Sequence, residues 1–410
     1  MMAMEKNNKN LNVPNLRFPE FSGEWEKYKL DEIATISKER IGVGMLSSSN
    51  YISTENMKSN FGGVDLAACL PVSGNVIKFQ QGDTLLSNIR PYLKKIWQAR
   101  FDGGCSADIL VFRSNKLCNQ DFLYYTLANE KFISYAMSGA KGVKMPRGDK
   151  EQILKYELHL PTATEQNKIT SLLSLLDQRI ETQKKIIEDL KKLKDAIAEK
   201  LFCAPEEESP ELRIVNSSDR WISYRLKDVC QRVSERNSQG LSSLVLTIAA
   251  QYGLVSQTDF FNKSVASENL SNYYLIQKGD FAYNKSYSGE YVWGAVKRLE
   301  LYEKGVLSPL YICFRPNPLI VNSDFLSHYF ETHKWHNGIA QIAGEGARNH
   351  GLLNVSISDY FATLHRLPGL AEQKKIASYL NLLSDKISLA NKELKCYSSQ
   401  KQYLLARMFI

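Results

Sequence analysis

Two short segments in the first half of the chain concentrate side chains that could bind an anionic, hydrogen-bonding ligand. Residues 84–95 read as a strand that opens into a basic loop, and residues 138–148 are rich in glycine and cations and contain no acid. Arg and Lys pair with phosphates, Arg and Asn also bind base edges, and glycine lets the backbone approach a ligand closely. Each segment is either a nucleic-acid contact or an ordinary solvated turn. The candidate contacts are Asn88, Arg90, Lys94, Lys95, Lys141, Lys144 and Arg147.

The second half of the chain contains a counterpart of each segment. Residues 280–288 correspond to 84–95, and residues 344–351 correspond to 138–148. The candidate contacts in these counterparts are Asn284, Lys285, Tyr287, Arg348 and Asn349.

Motifs that would indicate catalysis are absent from the sequence. It has no GxxxxGK[ST] phosphate loop, no GxGxxG, no HExxH pair and no tetrapeptide of the kind that amino-methyltransferases use. His328, His333 and His336 are close in sequence, but their spacing does not place all three on one helix face, so no metal site is expected. A recognition or scaffold protein is favoured over an enzyme, with an enzyme of unrecognised site as a third possibility.

The elements that would position these loops form an internal repeat. The segment 160–169 returns at 367–376, and this offset of 207 holds without a gap to residues 202 and 409. Upstream, Trp25 to Leu30 echoes Trp221 to Leu226, and Gln81-Gly82-Asp83 echoes Lys278-Gly279-Asp280. A duplicated chain of this kind predicts internal pseudo-two-fold symmetry.

The most faithfully repeated part of each half reads as a long helix with a coiled-coil seam. Apolar residues recur at alternating steps of four and three over about five heptads, which predicts that the two helices pair, in antiparallel directions because of the two-fold repeat. Thr164 is the expected N-cap of the first helix, and Lys194 and Lys401 fall at equivalent seam positions. The apolar seam residues are Ile169, Leu173, Leu176, Ile180, Ile187, Leu190, Ile197, Leu201, Ile376, Leu380, Leu383, Ile387, Leu394, Tyr397, Leu404 and Met408.

Composition is that of a water-soluble globular protein of more than one domain. The chain has 410 residues, 43% hydrophobic and 23% charged, with a net charge of +8 that is compatible with nucleic-acid binding without demonstrating it. No apolar run is long enough to span a membrane, and seven scattered cysteines without a C-x-x-C pair favour reduced thiols and a cytoplasmic location. The predicted fold class is α+β. The predicted segments are a flexible tail at 1–14, an α/β domain at 15–160, a long helix at 161–205, a second α/β domain at 206–367 and a second long helix at 368–410.

With these features the chain resembles the DNA-specificity subunit of type I restriction–modification systems. The resemblance covers essentially the whole chain and rests on several motifs that recur in order. They are Leu-Pro-x-x-x-Glu-Gln-x-x-Ile at 160–169 and 367–376, the Asn15-Leu16-Arg17-Phe18-Pro19 opening with Trp25, Asp280-Phe281-Ala282-Tyr283-Asn284, and Ser308-Pro309-Leu310.

The resemblance implies two target-recognition domains, each reading one half of a bipartite site in double-stranded DNA. It also implies that the helices set the length of the spacer, the stretch of DNA between the two half-sites. It implies that two copies of a modification subunit supply S-adenosylmethionine-dependent adenine methylation. Restriction and translocase subunits that use ATP and magnesium would join for cleavage. This chain would bind no cofactor and no membrane and would not be an enzyme. The alternative is a coiled-coil scaffold that binds proteins without DNA specificity.

Overall fold

The chain folds as a mixed α/β protein with two compact units. The computed structural model describes residues 12–214, 219–249, 253–261, 269–286, 291–343 and 351–410. Unit 1 comprises Met1–Gln183 and Glu393–Ile410, and unit 2 comprises Lys184–Lys392. No helix in these described ranges is long and apolar enough to cross a membrane.

Unit 1 is built from short strands and helices around a central buried strand. The described elements are β1 (Glu26–Lys29), α1 (Leu30–Ile33), β2 (Ala34–Ile36), β3 (Arg40–Gly42), β4 (Tyr51–Ile52), β5 (Asn75–Phe79), β6 (Thr84–Ser87), β7 (Ile96–Gln98), β8 (Gly103–Cys105), β9 (Ile109–Ser114), α2 (Gln120–Leu127), α3 (Glu130–Ser138), α4 (Lys150–Leu154) and β10 (Glu157–Leu160), with 3-10 turns at Val43–Met45 and Pro91–Leu93. Three sheets have the orders β2-β9-β6-β7, β3-β5-β8-β4 and β1-β10. All four residues of β6 are buried because it lies between β9 and β7, and this strand leads into the first candidate loop.

Unit 2 repeats two of these sheets. The two long helices, α5 (Ala163–Leu201) and α11 (Leu370–Met408), are each divided between the two units. The other described elements of unit 2 are β11 (Ile222–Arg225), α6 (Leu226–Val229), β12 (Cys230–Arg232), β13 (Leu246–Ala249), β14 (Gly253–Ser256), α7 (Gln257–Phe261), β15 (Tyr274–Gln277), β16 (Phe281–Asn284), β17 (Ala295–Arg298), β18 (Lys304–Leu307), β19 (Ile312–Pro316), α8 (Ser323–Tyr329), α9 (His336–Ile342), α10 (Ile357–Ala362) and β20 (Leu364–Leu367). The order β12-β19-β16-β17 matches β2-β9-β6-β7, and β11-β20 matches β1-β10. The remaining strands pair as β13-β14 and β15-β18, whereas unit 1 has a four-stranded sheet. The repeat seen in the sequence is therefore also a repeat of strand order.

An ion pair with a buried carboxylate holds the entry to β6 and to β16. The tight turn before each strand places a glycine at positive φ, +93° at Gly82 and +92° at Gly279, a conformation that glycine adopts without strain. The next residue, Asp83, then accepts two hydrogen bonds from Arg113, at 2.9 and 2.7 Å. Asp280 accepts two from Arg315 in the same way, at 2.6 and 2.8 Å.

The two long helices have 39 residues each, roughly 58 Å at about 1.5 Å per residue. Thr162, and not Thr164, lies at the N-cap of α5, where its hydroxyl accepts a hydrogen bond from the Glu165 amide at 3.4 Å. The Thr164 prediction is wrong because α5 already begins at Ala163, and an N-cap residue must lie just outside the helix.

The glutamine of the repeated Glu-Gln pair ties each helix to the globular part of its unit. In unit 1, Gln166 accepts a hydrogen bond from the Asn119 amide at 2.7 Å and donates to the Pro161 carbonyl at 3.0 Å. In unit 2, Gln373 makes the corresponding bonds to Asn322 at 2.7 Å and Pro368 at 2.9 Å. Because Asn119 and Asn322 are the N-caps of α2 and α8, each contact connects two helices.

Within unit 1 the start of α5 and the end of α11 run in opposite directions. Lys401 Nζ lies 2.5 Å from Asp177 Oδ1, and Gln183 Nε2 donates to Glu393 Oε2 at 3.0 Å. As the α5 number rises, the α11 number falls, which defines antiparallel packing in this region. The sixteen seam residues of α5 and α11 are all buried or partly buried. Lys194, the equivalent of Lys401, pairs instead with Glu331 of unit 2 at 3.0 Å.

Candidate nucleic-acid interface

The two candidate loops of unit 1, which are about 50 residues apart in sequence, lie side by side. The Arg90 amide donates to the Pro146 carbonyl at 2.7 Å, and the Gly148 amide donates to the Asn88 carbonyl at 3.1 Å. A Cβ atom at Gly148 would lie only 2.8 Å from Asn88 Oδ1, so a larger residue would require the Asn88 side chain to move. The structure therefore joins the two sets of cations into one surface, which we call the paired loops (residues 88–95 and 138–148).

The glycine-rich half of the paired loops presents three exposed cations. Lys141 and Arg147 exchange two backbone hydrogen bonds of 2.9 Å, which makes residues 141–147 a small hairpin. Lys141 and Arg147 keep 82% and 60% of their side-chain surface exposed, and Lys144 is also exposed.

Two of these cations form ion pairs at the surface. Lys141 lies 2.7 Å from Asp149, and Arg147 lies 3.1 Å from Asp108. The hydrogen bond with Asp149 raises the pKa of Lys141, and the same bond lowers the pKa of the Asp149 carboxyl. Exposed pairs of this kind contribute little to stability, so a phosphate can replace the carboxylate as partner at small cost.

The other half of the paired loops is more enclosed. Asn88, Arg90, Lys94 and Lys95 are all partly buried. Lys94 Nζ lies 2.5 Å from Glu130, and Lys95 Nζ donates to the Thr54 carbonyl at 2.5 Å, so these two amines already have protein partners. Asn88 Oδ1 and Arg90 Nε are shielded from solvent and have no hydrogen-bond partner among the described residues.

In unit 2 the chain after β16 contacts residues 352 and 353, which directly follow the counterpart segment 344–351. The Leu353 amide donates to the Lys285 carbonyl at 2.9 Å, and Ser286 forms an antiparallel bridge with Leu352. Asn284 and Lys285 are partly buried, and Asn284 Oδ1 accepts a hydrogen bond from the Ser286 amide at 3.0 Å. Tyr287, Arg348 and Asn349 lie outside the described residues.

Sequence reasoning missed a third segment beside the paired loops. The Asn60 amide donates to the Leu93 carbonyl and the Phe61 amide to the Lys94 carbonyl, both at 2.9 Å. The signal that could have found it is the run Lys58-Ser59-Asn60-Phe61-Gly62-Gly63, which combines a cation and an amide with two glycines. Its proximity to residue 93 could not be read from the sequence, because the two segments are more than 30 residues apart.

Comparison with known proteins points in one direction. The family model for the type I restriction modification DNA specificity domain matches residues 22–192, which include all of the paired loops. The MjaVIII type I restriction enzyme specificity subunit of Methanocaldococcus jannaschii is 24% identical, with 95% of this chain and 92% of that protein aligned. The EcoDI specificity subunit of Escherichia coli is 23% identical over 38% of this chain and 35% of its own length.

Two solved structures share the fold over nearly the whole chain. The S subunit of a type I restriction–modification system from M. genitalium superposes with a TM-score of 0.57 at 15% identity, covering 97% of this chain and 99% of that one. A chain from a type I restriction–modification complex superposes with a TM-score of 0.53 at 17% identity, covering 93% and 96%. Family model, sequence relatives and fold agree: residues 22–192 match the type I restriction modification DNA specificity domain, and the chain as a whole is similar to specificity subunits of type I restriction–modification systems.

Proposed function

We propose that unit 1 and unit 2 each read one half of a bipartite site in double-stranded DNA. The observation that carries this proposal is that in both units the chain after a central strand contacts a later segment, residues 88–95 with 138–148 in unit 1 and residues 285–286 with 352–353 in unit 2. Both meeting points follow the central strand of a sheet with the same strand order. Two similar surfaces on one chain suit a target of two parts.

In this proposal the long helices set the distance between the two half-sites. They would form an antiparallel coiled coil along their whole length, related by an internal pseudo-two-fold axis. The antiparallel contacts of unit 1 at Asp177–Lys401 and Gln183–Glu393 support this arrangement, as do the buried or partly buried positions of the seam residues. A helix pair resists bending, so the separation of the half-sites would be constant.

Partner subunits would carry the chemistry. Two copies of a modification subunit would bind S-adenosylmethionine and methylate adenine, and restriction and translocase subunits would use ATP and magnesium; this chain would bind none of these cofactors. Two identical partners need two equivalent docking positions on this chain. Leu175 and Leu382 support the presence of such positions, because they occupy equivalent places in the repeat and are 63% and 65% exposed. The proposed location is the cytoplasm, where the DNA lies.

The test is sequence-specific binding by the full chain assembled with its modification subunit. Replacing Lys144 and Arg147 by alanine should weaken binding to every DNA sequence and reduce the slope of log K against log salt by about 2, since each phosphate contact contributes about 0.9. Replacing Lys29 and Lys116, two exposed cations of the same unit, is the control and should change neither quantity. Unchanged affinity in the first variant would remove the hairpin from the DNA surface, and a wild-type complex without sequence preference would favour the scaffold alternative.

A further inference from the structure

The left-handed backbone conformations of non-glycine residues are concentrated at one place in unit 1. In the described part of the chain, four such residues have positive φ: Asn60 at 55°, Phe61 at 58°, Arg90 at 50° and Lys94 at 55°. This conformation is disfavoured for residues with a Cβ atom, and it persists where the surrounding structure enforces it, often at functional sites. The four residues lie in two segments, 60–61 and 90–94, that contact each other. The Asn60 amide donates to the Leu93 carbonyl, and the Phe61 amide donates to the Lys94 carbonyl.

Arg90 and Lys94 flank a short turn that is held from several sides. The Leu93 amide donates to the Arg90 carbonyl at 2.9 Å, and the Lys94 amide donates to the Pro91 carbonyl at 2.8 Å, which closes the 3-10 turn Pro91–Leu93. The hairpin of the paired loops holds one end through Arg90 and Pro146, and the segment at 60–61 holds the other. We call residues 90–94 together with Asn60 and Phe61 the braced turn.

Tyr92 projects from the apex of the braced turn. Pro91 is buried and Leu93 is partly buried, whereas Tyr92 is 47% exposed. The backbone bonds fix both neighbours of Tyr92, so little backbone freedom is lost when this side chain meets a ligand. Arg90 and Lys94 flank it in sequence, and the exposed Lys144 and Arg147 lie on the hairpin that contacts Arg90 through Pro146.

We propose that Tyr92 is a specificity-determining contact of unit 1, whose ring enters a groove of duplex DNA and packs against base edges and sugars. The inference rests on the proposed function, because it requires that the paired loops face DNA. The exposed cations of the hairpin, Lys144 and Arg147, would hold phosphates, and phosphate contacts position a protein without reading sequence. The apolar ring on a rigid turn would read the shape and methyl groups of the bases between those phosphates.

The experiment selects preferred sites from randomised duplexes with the full chain assembled with its modification subunit, and then measures affinity for the selected site. Tyr92→Ala should bind about tenfold more weakly, a loss typical of a removed aromatic contact. It should also flatten the base preference in one half of the site only. Because no charge is removed, the salt dependence should stay that of the wild type. Tyr92→Phe keeps the ring and should retain the preference. Tyr403→Ala, which removes another exposed tyrosine of unit 1, is the matched control and should leave base preference unchanged.

Each alternative outcome has a distinct meaning. Wild-type selectivity in Tyr92→Ala overturns this inference and leaves the proposed function standing. Loss in both Tyr92→Ala and Tyr92→Phe overturns the claim that the ring is the reading group and assigns the contact to the hydroxyl. A wild-type complex that selects no sequence overturns the proposed function and this inference together.

Discussion

At the scale of single residues, the clearest repeated feature is the carboxylate that anchors the strand before each candidate loop. Asp83 and Asp280 are almost completely buried, and each is bound by both sides of an arginine fork. The hydrogen bonds that Arg113 and Arg315 donate to these carboxylates raise the pKa of both arginines. A buried carboxylate of this kind must keep its partner, because removing one charge leaves the other desolvated and unpaired. The same ion pair in both units therefore fixes the position of β6 relative to β9 and of β16 relative to β19.

His365 makes unit 2 sensitive to acid. It is completely enclosed between the Tyr329 hydroxyl, 3.0 Å from Nδ1, and the Thr363 hydroxyl, 2.8 Å from Nε2. Burial lowers the pKa of His365 from 6.5 to about 4. The unfolded chain therefore binds a proton at a pH where the folded chain does not. The contribution of the buried, neutral His365 to the free energy of unfolding is therefore fully present above pH 6.5 and is lost as the pH falls towards about 4.

We expect His365→Gln to be less stable than the wild type at neutral pH but to lose less stability on acidification. The difference between pH 7 and pH 4 should shrink by up to about 3 kcal/mol, the linkage value of the pKa shift. Urea unfolding at several pH values measures this difference in the free energy of unfolding, with hydrogen exchange of peptides from unit 2 as the readout. Parallel pH profiles for the two proteins would show that His365 does not titrate in this way.

At the scale of elements, the two long helices are the parts on which the spacer would depend in the proposed function. Register in unit 1 is set by polar contacts as well as by the seam, because Lys401 pairs with Asp177 and also lies 5.5 Å from the centre of the Tyr125 ring. Tyr125 donates to the same carboxylate at 2.8 Å. A one-residue slip would separate the partly buried Lys401 from Asp177, its acidic partner among the described residues, which disfavours alternative registers.

Deleting one heptad from each helix should shorten the DNA spacer. Removing residues 185–191 together with 386–392 keeps the heptad pattern and shortens each helix by about 10 Å. The preferred spacer should decrease by about three base pairs, since B-DNA rises about 3.4 Å per pair, while both half-sites stay the same. Site selection with the assembled complex measures spacer and half-sites together. Replacing the same residues by seven-residue segments of equal heptad pattern is the control and should restore the original spacer.

At the scale of the whole molecule, each unit is completed by a residue that comes from the helix of the other repeat. Phe409, at the end of the second repeat, lies in the core of unit 1 with its ring centre 5.0 Å from that of Phe122. Phe202, its equivalent at the end of the first repeat, lies in the core of unit 2, 4.9 Å from Phe325. Neither repeat therefore contains all the residues of one core.

Phe409→Ala should destabilise unit 1 selectively, and Phe202→Ala should destabilise unit 2. Each removes a buried aromatic ring, which costs about 3–5 kcal/mol. Hydrogen exchange followed by mass spectrometry would resolve the two effects, because peptides of β6 and β9 report on unit 1 and peptides of β16 and β19 on unit 2. Equal loss of protection in both units after either substitution would contradict this assignment of the cores.

Much of this architecture follows from local patterns that the sequence displays directly. The offset of 207 between the repeats, the long helices and the strand before the first basic loop all depend on spacing along the chain, so the sequence alone predicted them. The N-cap of α5 was predicted two residues too late, because Thr162 and Thr164 are equally good capping residues and only the backbone decides between them.

Only the tertiary structure decided which segments meet. The contact of Gly148 with Asn88, the brace from Asn60 to Leu93 and the place of Phe409 beside Phe122 join residues that are far apart in sequence. The positive φ angles of Arg90 and Lys94 were also decided by the tertiary structure. Neither residue type favours them, and the hydrogen bonds of neighbouring segments enforce them. Periodicity and residue type are properties of neighbours in the chain. The shape of the paired loops depends instead on packing between distant segments, and no local pattern carries that information.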